Sequence, residues 1–227
     1  MKKIISLLCL VMVFSATYAQ QGNGGHNENH EQNNNRGNLA FITQVGENNS
    51  AIISQQNRGH SANVSQLGDD NVTNVLQIGH SSTTQSTIVG RNNNVVVEQR
   101  GNGNGIVNDV FLGQDNSVAI KQQGKGNAVQ NRIVMSADNS VTIEQTGQGN
   151  EVKSTTRLAR GYDVKITQNG SNNQVVGDHY GINFGGRQTT VTQKGNGHKL
   201  EYDQSFGHEG ISITQTGHGA QATVVHR

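Results

Sequence analysis

The chain has 227 residues, of which 31% are hydrophobic and 4% aromatic, with 29 Gly and no Pro or Trp. So little apolar material excludes an ordinary closed globular core. The formal net charge is +1, and −1 once Lys2 and Lys3 are set aside, so the charge balance does not point to nucleic acid or an anionic membrane.

Residues 1–19 read as a secretory signal peptide. Lys2 and Lys3 form the basic start, Ile4 to Phe14 the apolar run, and Thr17-Tyr18-Ala19 the small-residue site, with cleavage expected before Gln20. The apolar run is too short for a good membrane span. The one cysteine, Cys9, lies inside it, so the mature chain is expected to have no thiol, disulfide or cysteine-based metal site. Residues 20–37 are rich in Asn, Gln and Gly and contain no apolar residue, which predicts a disordered polar tail. His26 and His30 in it are read as solvated rather than as a metal pair, because the segment is a poor helix former.

From Asn38 the pattern changes to period two. The stretch from Val141 to Val152 shows the unit: Val141, Ile143 and Gln145 share one face, Thr142 and Glu144 the other, and Gly147 and Asn150 supply a turn. Gln followed two residues later by Gly occurs nine times, at Gln44, Gln66, Gln77, Gln99, Gln122, Gln145, Gln168, Gln193 and Gln215. The paired turn glycines are Gly46, Gly68, Gly79, Gly101, Gly124, Gly147, Gly170, Gly195 and Gly217. Ile or Val stands two before every one of these glutamines. Asn stands five after six of them: Asn49, Asn71, Asn104, Asn127, Asn150 and Asn173. Ser82, His198 and Ala220 replace it in the other copies.

The Gln spacings are 22, 11, 22, 23, 23, 23, 25 and 22 residues. This predicts an all-β solenoid with coils of about 22 residues, two strands to a coil, over residues 38–227. Seventeen strands are expected: 40–44, 51–55, 62–66, 73–77, 84–88, 95–99, 106–110, 118–122, 129–133, 141–145, 152–156, 164–168, 175–179, 189–193, 200–204, 211–215 and 222–226. The 11-residue step puts Gln44 and Gln66 on one edge and Gln77 to Gln215 on the other. The turns Gln56 to His60, Phe111 to Ser117, Met135 to Ser140, Arg157 to Asp163 and Tyr180 to Gln188 read as degenerate, and they absorb the longer spacings.

Ile and Val fill a thin interior in this reading. The inward glutamines, with Gln55 added, and the turn asparagines form amide ladders, because an unpartnered buried amide costs a few kcal/mol. Lys121, Glu144, Lys165 and Thr167 face solvent. No cap covers the first coil (Leu39 to Gln55) or the last (Ile211 to Val225), so Gln215 is expected to meet Gln44 or Gln55 of a second copy.

These residues carry a resemblance. Gln44, Gly46, Asn49, Ala51 and Gln55 reproduce Gln-x-Gly-x-x-Asn-x-Ala-x-x-x-Gln, and the chain resembles the curlin family over about residues 20–227. The departures are extra coils, Ile88 and Phe111 at positions where Gln stands in the repeat, and turns of uneven length. The resemblance implies export unfolded through an outer-membrane curli secretion pore, with residues 20–37 as the export tail. It implies assembly on the bacterial cell surface into extracellular functional amyloid of the biofilm matrix. It further implies partners in the form of other copies of the chain and a second curlin subunit as nucleator or fibre partner.

The other classes fit less well. A monomeric secreted solenoid adhesin or ligand binder, including an ice binder, would need a regular outward column, which Thr43, Thr142, Thr155, Thr167, Thr190, Thr192 and Thr214 do not form. An enzyme would need clustered carboxylates, whereas Asp109, Asp115, Asp138 and Asp163 sit as turn formers. His60, His80, His208 and His218 read as polar turn residues. No catalytic residue, metal or cofactor is expected.

Overall fold

The computed structural model describes residues 37–182, 188–205 and 210–226. The expected leader, most of the polar tail and His208 lie outside them. Within them the chain forms strands and turns only. The strands are β1 Leu39–Val45, β2 Ser50–Arg58, β3 Ser61–Asp69, β4 Val72–His80, β5 Thr83–Arg91, β6 Asn94–Asn102, β7 Gly105–Gln114, β8 Ser117–Lys125 and β9 Ala128–Val134. They continue as β10 Ser140–Gln148, β11 Glu151–Arg160, β12 Asp163–Ser171, β13 Gln174–Ile182, β14 Gln188–Asn196, β15 Lys199–Ser205, β16 Ser212–His218 and β17 Gln221–His226.

Odd-numbered strands form a nine-stranded parallel sheet and even-numbered strands an eight-stranded one. Each strand therefore pairs with the strand one coil away, in register: Ile143 lies between Ile120 and Ile166, and Gln145 between Gln122 and Gln168. The architecture is a β-solenoid of about eight coils, and at about 4.8 Å per coil it is roughly 40 Å long. The expected strands all exist. They run six to ten residues rather than five, because the corners between them are tighter than the sequence suggested.

Alternation decides what is inside. Each strand contributes three inward positions. In the eight-stranded sheet the first two are Val, Ile, Thr or Ala, such as Val95 and Val97, Val118 and Ile120, or Val164 and Ile166, and all six of these are buried. β-branched residues suit this space because their restricted rotamers stack in register. The third position is Gln in all eight strands. Along the nine-stranded sheet the third position runs Gln44, Gln66, Ile88, Val110, Ile133, Thr156, His179, Gln204 and His226.

That column corrects one assignment. Val110, not Phe111, occupies the Gln position: Val110 pairs with Ile88 and is buried, whereas Phe111 is half exposed on the outer face. A shift of one residue in a strand exchanges the two faces.

The 23-residue spacings come from single bulged residues. Leu112, Met135 and Leu158 each adopt positive φ (53°, 49° and 46°) and are exposed. Around Leu112, Val89 pairs with Phe111 but Gly90 pairs with Gly113. Each bulge adds one residue to its coil without disturbing the inward columns.

Candidate functional site: the amide ladders and the open edges

The glutamines of the eight-stranded sheet form one continuous chain of hydrogen bonds. Nε2 of Gln55 donates to Oε1 of Gln77 at 2.8 Å, and the same bond repeats from Gln77 to Gln99, Gln122, Gln145, Gln168, Gln193 and Gln215 at 2.7–2.9 Å. Every bond donates toward the C-terminal coil. The second N–H reaches a carbonyl of the opposite strand, as from Gln122 to Gly105 and from Gln145 to Ala128, both at 3.1 Å. Each inner amide thus uses both donors and its acceptor, which is what its burial requires. Gln44 donates to Gln66 at 2.7 Å, and Gln66 turns to Thr73 and the Ser50 carbonyl. That shorter ladder then stops at Ile88.

The corners carry two asparagine ladders. Asn49, Asn71, Asn93, Asn116 and Asn139 stack where odd strands turn into even ones. Asn104, Asn127, Asn150 and Asn173 stack where even strands turn into odd ones. In both, Oδ1 accepts the backbone and side-chain N–H of the next coil, as Asn127 does from Asn150 at 3.1 Å in each case. The six asparagines picked out by the Gln-x-Gly offset are therefore divided between two corners. Asn93, Asn116 and Asn139 escape that offset because the strands before them, β5, β7 and β9, lack Gln-x-Gly. Counting 22 or 23 residues forward from Asn71 finds all three. The turns Phe111 to Ser117 and Met135 to Ser140 are thus not degenerate in their ladder residue. The turn Arg157 to Asp163 is, because Tyr162 takes the slot and gives no amide oxygen to the coil beyond.

The two corners solve the same backbone problem differently. The residue before each ladder position is left-handed. It is Asn48, Asp70, Asn92, Asp115 and Asp138 on one corner, with φ between 51° and 58°. On the other it is mostly glycine, as at Gly103, Gly126 and Gly149 (φ 64°). Asn and Asp are the side chains that tolerate this conformation best, and Gly needs no tolerance.

His60 and His198 replace asparagine in the second corner, and both are buried. Nδ1 of His60 accepts the Ser82 N–H at 3.2 Å, and its Nε2 donates to the Gln56 carbonyl at 2.9 Å. His198 repeats this with Ala220 and Lys194. The neutral ring with hydrogen on Nε2 imitates Asn, whose Oδ1 accepts and whose Nδ2 donates four residues back, as Asn150 does to Thr146. His60 is therefore a polar turn residue, as expected, and in addition a buried member of the ladder. Among the described residues no three His, Cys, Asp or Glu side chains could share a metal.

An aromatic set fills the nine-stranded side near its C-terminal end. The His179 ring lies edge-on between Tyr162 and Tyr202, at 5.5 Å and 5.2 Å. Its Nδ1 donates to the Thr155 carbonyl at 3.4 Å, and the Tyr202 hydroxyl donates to Nε2 at 3.3 Å. Burial pushes His179 down to about 4, against the Thr155 bond and the Asp203 charge. Burial also raises both tyrosines. The Tyr202 ring fits because its neighbour in the pairing is Gly177, which has no side chain to displace it.

The first coils hold the repeat in its fullest form. Gln44, Gly46, Asn49, Ala51 and Gln55 occupy an inward amide, a corner glycine, a corner amide, an inward methyl and a second inward amide. Residues 36–68 match the family model of the curlin associated repeat. No curated protein matched the chain, and neither did any solved structure. The match ends within β3, and the same strand-and-corner geometry of this chain continues to β17. Gln215 occupies in β16 the position Gln55 holds in β2, and Gly217 the corner position of Gly79.

Both ends of the solenoid are open among the described residues. β1 and β2 have no strand on their outer edges at one end, nor do β16 and β17 at the other. The ladder reaches both ends unfinished. Oε1 of Gln44 and of Gln55 accepts no hydrogen bond from the described residues, and Gln215 donates only to carbonyls of its own chain, at Lys199 and Ala220.

Proposed function

We propose that this chain is a secreted structural subunit of curli-like functional amyloid fibres on the bacterial surface, supporting adhesion and the biofilm matrix. The observation that carries the proposal is the in-register hydrogen-bonded stack running uninterrupted between two open edges. Unpaired strand edges recruit further strands, and a head-to-tail contact does not close. Other copies of the chain are the main partner. A second curlin subunit serves as nucleator or fibre partner, and an outer-membrane pore exports the chain with residues 20–37 as its address. No catalytic step and no nucleic acid enters this role.

Assembly of the purified chain from residue 20 onward tests the reading. Fibres are expected, with diffraction spacings of about 4.8 Å along the fibre and about 10 Å across it. A chain that remains a soluble monomer for days at high concentration would overturn it.

A further inference from the structure

We propose that successive copies in the fibre are related by a half-turn about the fibre axis, so that β1 of the next copy adds to β16 and its β2 adds to β17. The inference rests on the assembly proposed above and specifies its joint.

The two outer strands at each end are offset. β17 closes the nine-stranded sheet, and β16, one strand earlier in the chain, closes the eight-stranded sheet. A copy stacked without rotation would put its β1 on β17. Its β2 would then lie one empty strand position beyond β16, leaving a gap in the eight-stranded sheet. A half-turn removes the gap. The incoming β1 becomes the next strand after β16, and the incoming β2 the next after β17, in the alternation used throughout the coil.

The side chains match this register. The interval from Gln215 to Ala222 equals that from Gln44 to Ala51, so both strands and the corner between them superpose. Ile42, Thr43, Gln44, Gly46 and Ala51 of the incoming copy meet Ile213, Thr214, Gln215, Gly217 and Ala222, the same residue type each time. Gln215 then donates to the free Oε1 of Gln44, in the direction of every other bond in the ladder. Gln55 comes opposite His226, whose buried Nδ1 has no partner among the described residues.

The corner glycines agree. Gly147 and Gly195 each lie so close to the carbonyl of the glycine one coil on that a Cβ could not fit. Gly217 also has a positive φ, 102°, and nothing lies within 4 Å of where its Cβ would be. The incoming Gly46 fills that place. The half-turn also accounts for the 11-residue step between Gln66 and Gln77. The ladder of one copy runs down its eight-stranded side and enters the next copy through Gln44 and Gln66, on the nine-stranded side.

Disulfide trapping decides the joint, since the chain from residue 20 onward has no cysteine. Neighbouring in-register strands hold paired Cα atoms about 4.8 Å apart, within disulfide range. Thr43, Thr214 and Val225 all point outward. The double variant T43C/T214C is expected to form a disulfide-linked ladder of dimers and higher oligomers when its fibres are oxidised. T43C/V225C, the pair an unrotated joint would bring together, is expected to remain monomeric on a non-reducing gel. F41C/S212C repeats the first test two residues away, at the next outward position, should T43C/T214C fail to assemble. A ladder from T43C/V225C overturns the half-turn. Fibres in which neither pair links overturn the proposed stacking of these ends and leave the fibre reading standing. Absence of fibres from the unsubstituted chain overturns that reading, and the joint with it.

Discussion

The two sheets of one coil differ in what holds them. In the eight-stranded sheet the third inward position is Gln in every strand, and one hydrogen-bonded chain runs its length. In the nine-stranded sheet the same position passes through Gln, Ile, Val, Thr and His. An amide is directional and needs an identical neighbour at one repeat distance. An aliphatic side chain needs only volume. The amide side therefore sets the register, and the apolar side can vary, take bulges such as Leu112 and admit the aromatic set around His179.

The most damaging way to break the uniform side is at its corner. Gly147 has φ 116°, and a Cβ there would collide with the Gly170 carbonyl, which belongs to the sheet itself and cannot yield. Gly147→Ala is expected to cost more than about 4 kcal/mol and to prevent assembly. Gly126, also left-handed but with open space around it, should lose only about 1–2 kcal/mol as Ala. Fibre yield and the denaturant concentration that dissolves half the fibre compare the two.

Next comes the ladder. Gln145→Ala strands the Nε2 donor of Gln122 and the Oε1 acceptor of Gln168 and leaves a cavity between them. The expected cost is about 3–4 kcal/mol. On the other sheet, Ile133→Val removes one buried methylene and should cost about 1 kcal/mol. Equal losses in denaturant resistance would show that the ladder does not set the register.

The third contrast is in pH. Burial lowers His179 from its ordinary value of 6.5 to about 4, so between these values the unfolded chain binds more protons than the folded one. Stability is therefore full above about pH 6.5 and is lost as the pH falls toward 4, by about 2–3 kcal/mol. His179→Leu should flatten that part of the pH profile, whereas Gln145→Ala should leave it intact. An unchanged acid profile in His179→Leu would show that His179 is not the group responsible.

The uniform side was the legible one. Gln-x-Gly with Ile or Val two before it marks a strand face and its corner together, so the strands, coil length and edge switch follow from local spacing. The varied side carries no such marker. Phe111 looked inward because no amide fixed the parity of that strand. Asn93, Asn116 and Asn139 follow strands without the motif, and their identity depends on a neighbour 22 or 23 residues away. Tyr162, His179 and Tyr202 come from three coils, and only the stack shows that Gly177 makes room for them.

The smallest expected effect has the opposite sign. Thr156 holds the third inward position of β11, between Ile133 and His179, and is buried. Its Oγ1 has no hydrogen-bond partner among the described residues, so the hydroxyl was taken out of water without compensation. Val has nearly the same shape and the same restricted χ1, and it replaces the hydroxyl with a methyl group. Thr156→Val is expected to stabilise the coil by about 1 kcal/mol, seen as a higher denaturant midpoint for fibre dissolution. The nearest equivalent across the coil, Gln145→Leu, also exchanges a polar group for an apolar one of similar size. There it strands Gln122 and Gln168, so it must destabilise. Opposite signs for these two substitutions would separate a side held by amides from a side held by volume. A loss of stability in Thr156→Val would mean that its hydroxyl is bonded and that the two sides are held more alike than their columns indicate.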